Sequence, residues 1–380
     1  MRVLVTGARA PVALDLARAF RAAGCAVALA DSVTPFAASL SRPKLVNHRL
    51  PPPRFAFAAF RTSLRALAAS FDLVVPTCEE VFWLAAAAER DGWTERLFAQ
   101  DLATLRRLHS KALFPKLARA AGIAAPRTVP IASACELARL DEPLSRLVIK
   151  PEFSRFGSRT MIAPEPSALS RLAPSPARRW VAQERIEGEE LCVWSVMRGG
   201  QLTACVAYRP LMRHGRSASY AFEAVDRPEI RAMAERIAET AGGDGQLSYD
   251  VIATPEGRVA PLECNPRTVS AVHLLDASPA LAHAILYGSE LAPPPAGTIR
   301  YLAPAMLLMG VPAALGRGEL TRWREIWNAG SDAAGRASDR LPAAGTLLDA
   351  SRFALLALSR RRSPTGATTD DIEWNGEAIP

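Results

Sequence analysis

Cysteine is sparse in this sequence, and its six copies (25, 78, 135, 192, 205 and 264) form no CxxC pair. That spacing excludes a disulfide framework and a thiolate zinc site, and points to reduced, mostly buried thiols. Long apolar runs are missing too. The most apolar stretch, Tyr301 to Leu315, is broken by Pro304, Gly310 and Pro312 and falls short of the roughly 20 residues that span a bilayer. It reads as buried core, and no membrane partner is expected. No charged leader precedes the opening Met1-Arg2-Val3-Leu4-Val5-Thr6-Gly7, so the expected compartment is the cytoplasm. There is no Gly-x-Ser-x-Gly and no Cys/His cluster to supply a covalent nucleophile, and histidines 109, 214, 273 and 283 stand isolated.

Lysine is the rarest charged residue. Among 46 basic residues it occurs only at 44, 111, 116 and 150, and the other 42 are arginines. Where lysine survives in such a chain, a compact ammonium is needed rather than a planar fork. The net charge of +8 is spread along the chain without aromatic interleaving, so it reads as a solvated surface and not as a nucleic-acid strip.

What the sequence has in quantity is core. Its 380 residues, 49% hydrophobic and 22% charged, suit a globular enzyme of two or three folding units. The start reads as a βαβ unit of a parallel α/β sheet: strand Arg2 to Thr6, turn 7 to 11, helix Val12 to Ala23, and strand Cys25 to Ala30 ending on Asp31. Residues 41 to 54, rich in proline and basic residues, read as a loop before a helix at 57 to 69. Phe71 to Pro76 is a further buried strand, and Thr77-Cys78-Glu79-Glu80 sits where open sheets bind ligands.

From Ser110 the pattern changes. The spacing predicts a helix over 110–121 stopped by Gly122, a helix near 133–140, strand Arg146 to Lys150, a loop Pro151 to Arg159 and a short strand Thr160 to Ala163. Strands Trp180 to Glu184, Glu190 to Arg198 and Gln201 to Arg209 follow, the last two joined at Gly199-Gly200 as a tight hairpin. Helix 227–241 and strands Gly245 to Thr254 and Arg258 to Cys264 close the region. Beyond about 290 the chain is rich in Ala, Leu, Arg and Pro, with a Gly/Ala/Ser linker at 329 to 337 and no evident chemistry.

The candidate chemistry gathers at strand ends. Glu263 and Asn265 are two apart and share a face, and Asp250 can lie beside them on the neighbouring strand. Such an all-oxygen set suits magnesium, which takes one or two carboxylates and completes its octahedron with water and phosphate oxygens. Lys150 ends an apolar strand, and Lys111 starts the predicted helix, where anions are favoured. The segment Gln183-Glu184-Arg185-Ile186-Glu187-Gly188-Glu189-Glu190 lies between strands. Its extended backbone can pair with an adenine edge, and a carboxylate six or seven residues on can accept from ribose hydroxyls.

Taken in order, these pieces resemble the ATP-grasp superfamily: a lysine at the domain start, a lysine ending a strand, a loop, a Q-E-x-I-x-G-x-E linker, then D…E-x-N-P-R. The resemblance covers roughly residues 108 to 288. It implies a Rossmann-like α/β domain at 1–107, a two-subdomain α+β ATP-grasp domain at 108–288, and a C-terminal extension at 289–380. It implies that Lys111 and Lys150 bind ATP phosphates, that Gln183, Glu184, Arg185 and Ile186 face adenine, and that Glu190 holds the ribose. Asp250, Glu263 and Asn265 would carry one or two magnesium ions, with manganese as the alternative. Arg267 and Lys150 would act in catalysis, Arg267 stabilising the transferred phosphoryl group.

The implied activity is ATP-dependent joining of a small-molecule carboxylate to an amine through an acyl phosphate, with amino-acid or peptide-like substrates and a homodimer expected by analogy. A carbamoyl-phosphate-like or carboxylase activity, or a nucleotide-binding protein without turnover, are the alternatives. The loop Glu152 to Arg159 departs from the pattern, with one glycine where many relatives have three or more. It offers Ser154, Ser158 and backbone N–H groups to a phosphate, with Arg155 or Arg159 adding charge. A rival reading of Thr6 to Pro11 as a dinucleotide fingerprint, with Asp31 on a ribose, has only Gly7 in its favour. The same turn, with Glu79 or Glu80, is expected instead to help hold the acceptor.

Overall fold

The computed structural model describes residues 1–155, 157, 159–213, 215, 219–361 and 363–380, and only the backbone of Pro364 and Thr365. Ser158 and His214 lie outside the described residues.

The first sheet is parallel, with β1 (Arg2–Thr6), β2 (Ala26–Asp31), β3 (Val46–Arg49) and β4 (Leu73–Val75) in the order β3-β2-β1-β4. Val3, Leu4 and Val5 are fully buried, as expected of a strand covered on both faces. Helix Pro11–Ala22 begins with proline at its first position and buries Leu14, Leu16 and Phe20. Strand order reverses between β1 and β4, so their carboxyl ends, Thr6-Gly7 and Pro76 to Glu80, flank the crevice where such sheets take ligands. The stretch 41–54, expected as a loop, contains β3, because Val46 to Arg49 pairs with the free edge of β2.

A second sheet holds β5 (Thr128–Ile131), β6 (Leu147–Pro151), β7 (Met161–Ile162) and β8 (Trp180–Glu184) in the order β5-β8-β6-β7. The expected strand Thr160 to Ala163 is reduced to β7, because only Met161 and Ile162 find partners on β6. The third sheet has seven strands. They are β9 (Glu189–Arg198), β10 (Gln201–Arg213), β11 (Ser219–Val225), β12 (Gly245–Ala253), β13 (Val259–Asn265), β14 (Ile299–Tyr301) and β15 (Ser331–Asp332), in the order β13-β12-β9-β10-β11-β14-β15. Gly199 and Gly200, at φ 58° and 78°, make the left-handed turn between β9 and β10.

The predicted helix over 110–121 begins only at Phe114 and runs to Ala120, and a separate helix, Leu102–His109, precedes it, with Lys111 in the turn between the two. Ser110 makes that turn: its Oγ accepts from Leu113 N at 3.1 Å and its carbonyl from Phe114 N at 2.8 Å. Lys111 therefore does not start a helix.

Two expectations for the C-terminal region are corrected. Tyr301 to Leu315 is not buried core: a helical run over 303–317 turns inward only Met306, Gly310 and Ala314, one residue per turn, and exposes Leu307, Leu308, Met309 and Leu315. Nor is 329–337 a loose linker, since β15 pairs with β14 and Ala333 and Ala334 are buried. The last residues return to the first sheet. Trp374 stacks on Phe82 at 4.8 Å, and the Trp83 indole N–H donates to the carbonyl of Ile372 at 2.9 Å.

Candidate active site

The β12–β13 hairpin places Asp250 directly opposite Glu263 and Ser248 opposite Asn265. Glu263 is the meeting point of two lysines from different segments. Lys111 Nζ lies 3.4 Å and Lys150 Nζ 3.5 Å from the same Glu263 oxygen, Oε2. Both ammoniums are buried, and Lys111 also donates to the carbonyl of Ser154 at 2.9 Å, tying the turn after Ser110 to the loop that follows β6. Glu152 in that loop accepts from Ser110 Oγ and pairs with Arg179 at 2.7 Å.

The charges are arranged unequally. Although burial pushes the Glu263 carboxyl up, Lys111 and Lys150 hold it well below the usual carboxylate range. Asp250 is driven up by burial and by the neighbouring Glu263 charge. Burial lowers the Lys150 ammonium, opposed by Glu263. Two adjacent carboxylates, one destabilised by the other, with an amide two residues on, form an oxygen set whose repulsion a divalent cation relieves. Among the described residues no three His, Cys, Asp or Glu side chains gather to cage a metal. The set therefore fits magnesium, which needs one or two carboxylates plus substrate phosphate, better than zinc.

A second charged group joins this hairpin to the first sheet. Arg267 Nε donates to Glu79 Oε1 at 2.7 Å, Arg155 Nε approaches the same oxygen at 3.3 Å, and His109 Nε2 lies 3.9 Å from Glu79 Oε2. Burial pushes the Glu79 carboxyl up, but Arg155, Arg267 and His109 hold it at about 2. Burial takes the His109 imidazole down to about 4, with Glu79 pulling the other way. Gln246 locks the geometry: its side-chain N–H donates to the Pro76 carbonyl at 2.9 Å, and its oxygen accepts from Thr268 Oγ1 at 2.6 Å and Trp194 Nε1 at 3.1 Å.

The connector residues are placed apart from the lysine–carboxylate cluster, save one. Gln183, buried on β8, donates to Thr128 Oγ1 at 3.2 Å and to the Leu262 carbonyl at 3.1 Å, one residue from Glu263. Glu184 accepts from Arg127 N at 3.0 Å at an exposed edge, and Arg185 donates through its backbone to the Arg146 carbonyl at 2.8 Å. Ile186 is half-buried in the link between β8 and β9. Glu190, exposed, meets Arg213 at 2.7 Å.

Arg9, expected near an acceptor, is closed off. Its guanidinium pairs with Asp31 and Asp371, each at 2.6 Å, and donates to Ser32 Oγ and the Thr368 carbonyl. This also removes Asp31 as a ribose ligand, since Arg9 covers its carboxylate. Glu80 caps the turn after β4, accepting from Thr6 Oγ1 at 2.8 Å and Thr77 N at 3.1 Å. Asp371 and Glu373, which pairs with Arg155 at 3.1 Å, were invisible as site residues in the sequence. Their partners lie more than 200 positions away, and nothing local in the tail points to them. A cleft of about 960 Å³ opens between the loop after β6, residues 176–180 and this tail, with Arg54, Arg155, Arg159 and Arg179 on its walls.

No family model and no curated protein matches the chain. Solved structures do. Phosphoribosylamine–glycine ligase from Thermotoga maritima aligns with a TM-score of 0.60 at 16% identity, over 79% of this chain and 78% of that one. N5-carboxyaminoimidazole synthase from Aspergillus clavatus, in complex with ADP and 5-aminoimidazole ribonucleotide, gives 0.60 at 16%, over 77% and 78%. L-amino acid ligase from Bacillus licheniformis gives 0.52 at 16%, over 70% of this chain and 66% of that one. Overlap with these structures over most of the chain shows the fold that they share, the ATP-grasp fold.

Proposed function

We propose that the chain is an ATP-dependent carboxylate–amine ligase. The observation that carries this is the convergence of Lys111 and Lys150 on Glu263, with Asp250 directly opposite and Arg267 on the same hairpin end. No structural need brings two of four lysines to one half-buried carboxylate in a chain that otherwise uses arginine. Lys111 and Lys150 would take phosphate oxygens in place of Glu263, leaving Glu263 and Asp250 free to hold magnesium.

In this reading Lys111 and Lys150 hold the ATP phosphates, and Ser154 and the backbone of its loop close over them. Gln183, Glu184, Arg185 and the backbone at Ile186 border the adenine, and Glu190 borders the ribose. Asp250, Glu263 and Asn265 would hold magnesium, or manganese in its place, which would supply charge neutralisation at the phosphate oxygens. The substrate carboxylate oxygen attacks the γ-phosphorus, the bond to the β-phosphate oxygen breaks, and ADP leaves with acyl phosphate formed. The amine nitrogen then attacks the acyl carbon, phosphate departs and the nitrogen loses a proton. Arg267 stabilises the charge on the transferred phosphoryl group, positioned for it by Glu79. The L-amino acid ligase and phosphoribosylamine–glycine ligase names favour an amino acid among the substrates.

The test is ADP release from ATP and magnesium in the presence of pooled amino acids and small amines, with the product identified by mass. Turnover that requires both an acid and an amine supports the reading. ATP binding without ADP release under any pool identifies a nucleotide-binding module instead.

A further inference from the structure

Helix Leu341–Arg360 turns Pro342, Gly345, Asp349, Phe353 and Ala357 toward the protein. Asp349 accepts from Phe36 N at 3.1 Å and Ala37 N at 2.9 Å, capping the short helix Phe36–Ser39, and pairs with Arg352 at 2.9 Å. Gly345 lies so close to Ala37 that an added Cβ would come within 2.5 Å of its Cα. On the outer side stand Leu341, Leu347, Leu348, Leu355 and Leu358, the last two 67% and 77% exposed. The neighbouring helical run over 303–317 adds Leu307, Leu308, Met309 and Leu315. Scattered exposed leucines need no explanation, but nine large apolar side chains on two touching elements do.

The exposed charges at the ends of these elements are mainly positive. Arg340 precedes the long helix, Arg360 ends it and Arg361 caps it, while Arg317 ends the other run, and all four are exposed. Arg360 also reaches Asp370 at 3.5 Å and Arg317 reaches Glu319 at 4.0 Å. The acids of this region turn inward: Asp332 accepts from Ala303 N and Gly335 N, Asp339 pairs with Arg18, and Asp349 caps as described. Among the described residues of 303–361, only Glu325 is both acidic and exposed.

We infer that this face is a peripheral docking surface for an anionic membrane. The leucines enter the boundary between headgroups and acyl chains, and the arginines at the helix ends meet anionic headgroups. The long helix is apolar and long enough to cross a bilayer, but crossing would strip Asp349 and Arg352 from the partners they hold in the protein. It therefore lies along the surface. A second copy of the chain fits less well. Pairing the helix with its two-fold mate sets Arg360 and Arg361 against the positive end of the partner helix, next to its Arg340. The inference is independent of the catalytic reading.

Flotation of the full-length protein with vesicles decides it. The protein floats with mixed phosphatidylcholine–phosphatidylglycerol vesicles. Flotation falls on the order of tenfold with phosphatidylcholine alone or in the Arg360→Glu/Arg361→Glu variant. Leu355→Gln/Leu358→Gln, on the solvent side, removes flotation while leaving the melting temperature unchanged. Absence of flotation by the unaltered protein on the mixed vesicles overturns the inference. So does sedimentation showing a dimer that the same leucine substitutions dissociate, with vesicle binding unaffected.

Discussion

Glu263 takes two ammoniums on one oxygen, and Asp250 beside it carries the strain of that arrangement. The two carboxylates should therefore respond oppositely to neutralisation. Glu263→Gln leaves two buried lysines uncompensated and lowers unfolding free energy by about 3 kcal/mol in denaturant titrations. Asp250→Asn removes a like-charge repulsion and keeps or raises stability, yet lowers magnesium-dependent ADP formation by about 10²-fold or more. Glu79 and His109 contribute to acid destabilisation, against the opposite contribution of Asp250. Both bind protons less readily folded than unfolded, so the unfolded chain takes up more protons as pH falls, and stability drops with it. His109 contributes between about pH 6.5 and 4, and Glu79 between about 4.5 and 2. Denaturant midpoints across that range should fall toward acid, and His109→Gln should flatten the upper part of the curve.

At the scale of elements, the β1 turn is the tightest constraint. Gly7 has φ 69°, and a Cβ there would lie 2.5 Å from Thr77 Oγ1 and 2.6 Å from Glu80 Oε1. Gly7→Ala should destabilise by roughly 1–3 kcal/mol, read from thermal or denaturant melts. This turn, β1, β8 and the hairpin turn at Gly199-Gly200 are legible because each carries its own local signal, an apolar run or a glycine breaker. The turn at Lys111 was not: its geometry comes from Ser110 and from the Lys111 N–H donating to the Glu152 carbonyl at 3.3 Å, contacts the helical pattern of 110–121 hides. β3 was missed because a four-residue edge strand rich in polar side chains has no periodic signal. The apolar run Tyr301 to Leu315 misleads for a different reason. Hydrophobicity alone does not give burial, which depends on which side of the helix meets the protein.

At the scale of the molecule, Glu79 from the first sheet, Arg155 from the loop after β6 and Arg267 from the third sheet meet at one point, and the C-terminal tail closes over them through Glu373. Trp374, 2% exposed among Phe82, His109 and Phe153, anchors that tail, and Trp374→Ala should cost about 3–5 kcal/mol in unfolding experiments. The residues proposed for metal and phosphate stand in a readable order along the chain. The tail's part in the site was not, because its acids meet partners hundreds of residues earlier. Ligation through an acyl phosphate is the central claim, and oxygen transfer tests it most directly. With a substrate acid labelled with ¹⁸O in both carboxylate oxygens, each turnover should deliver one labelled oxygen to inorganic phosphate and leave one in the product. Phosphate free of label, or cleavage of ATP to AMP, would contradict it.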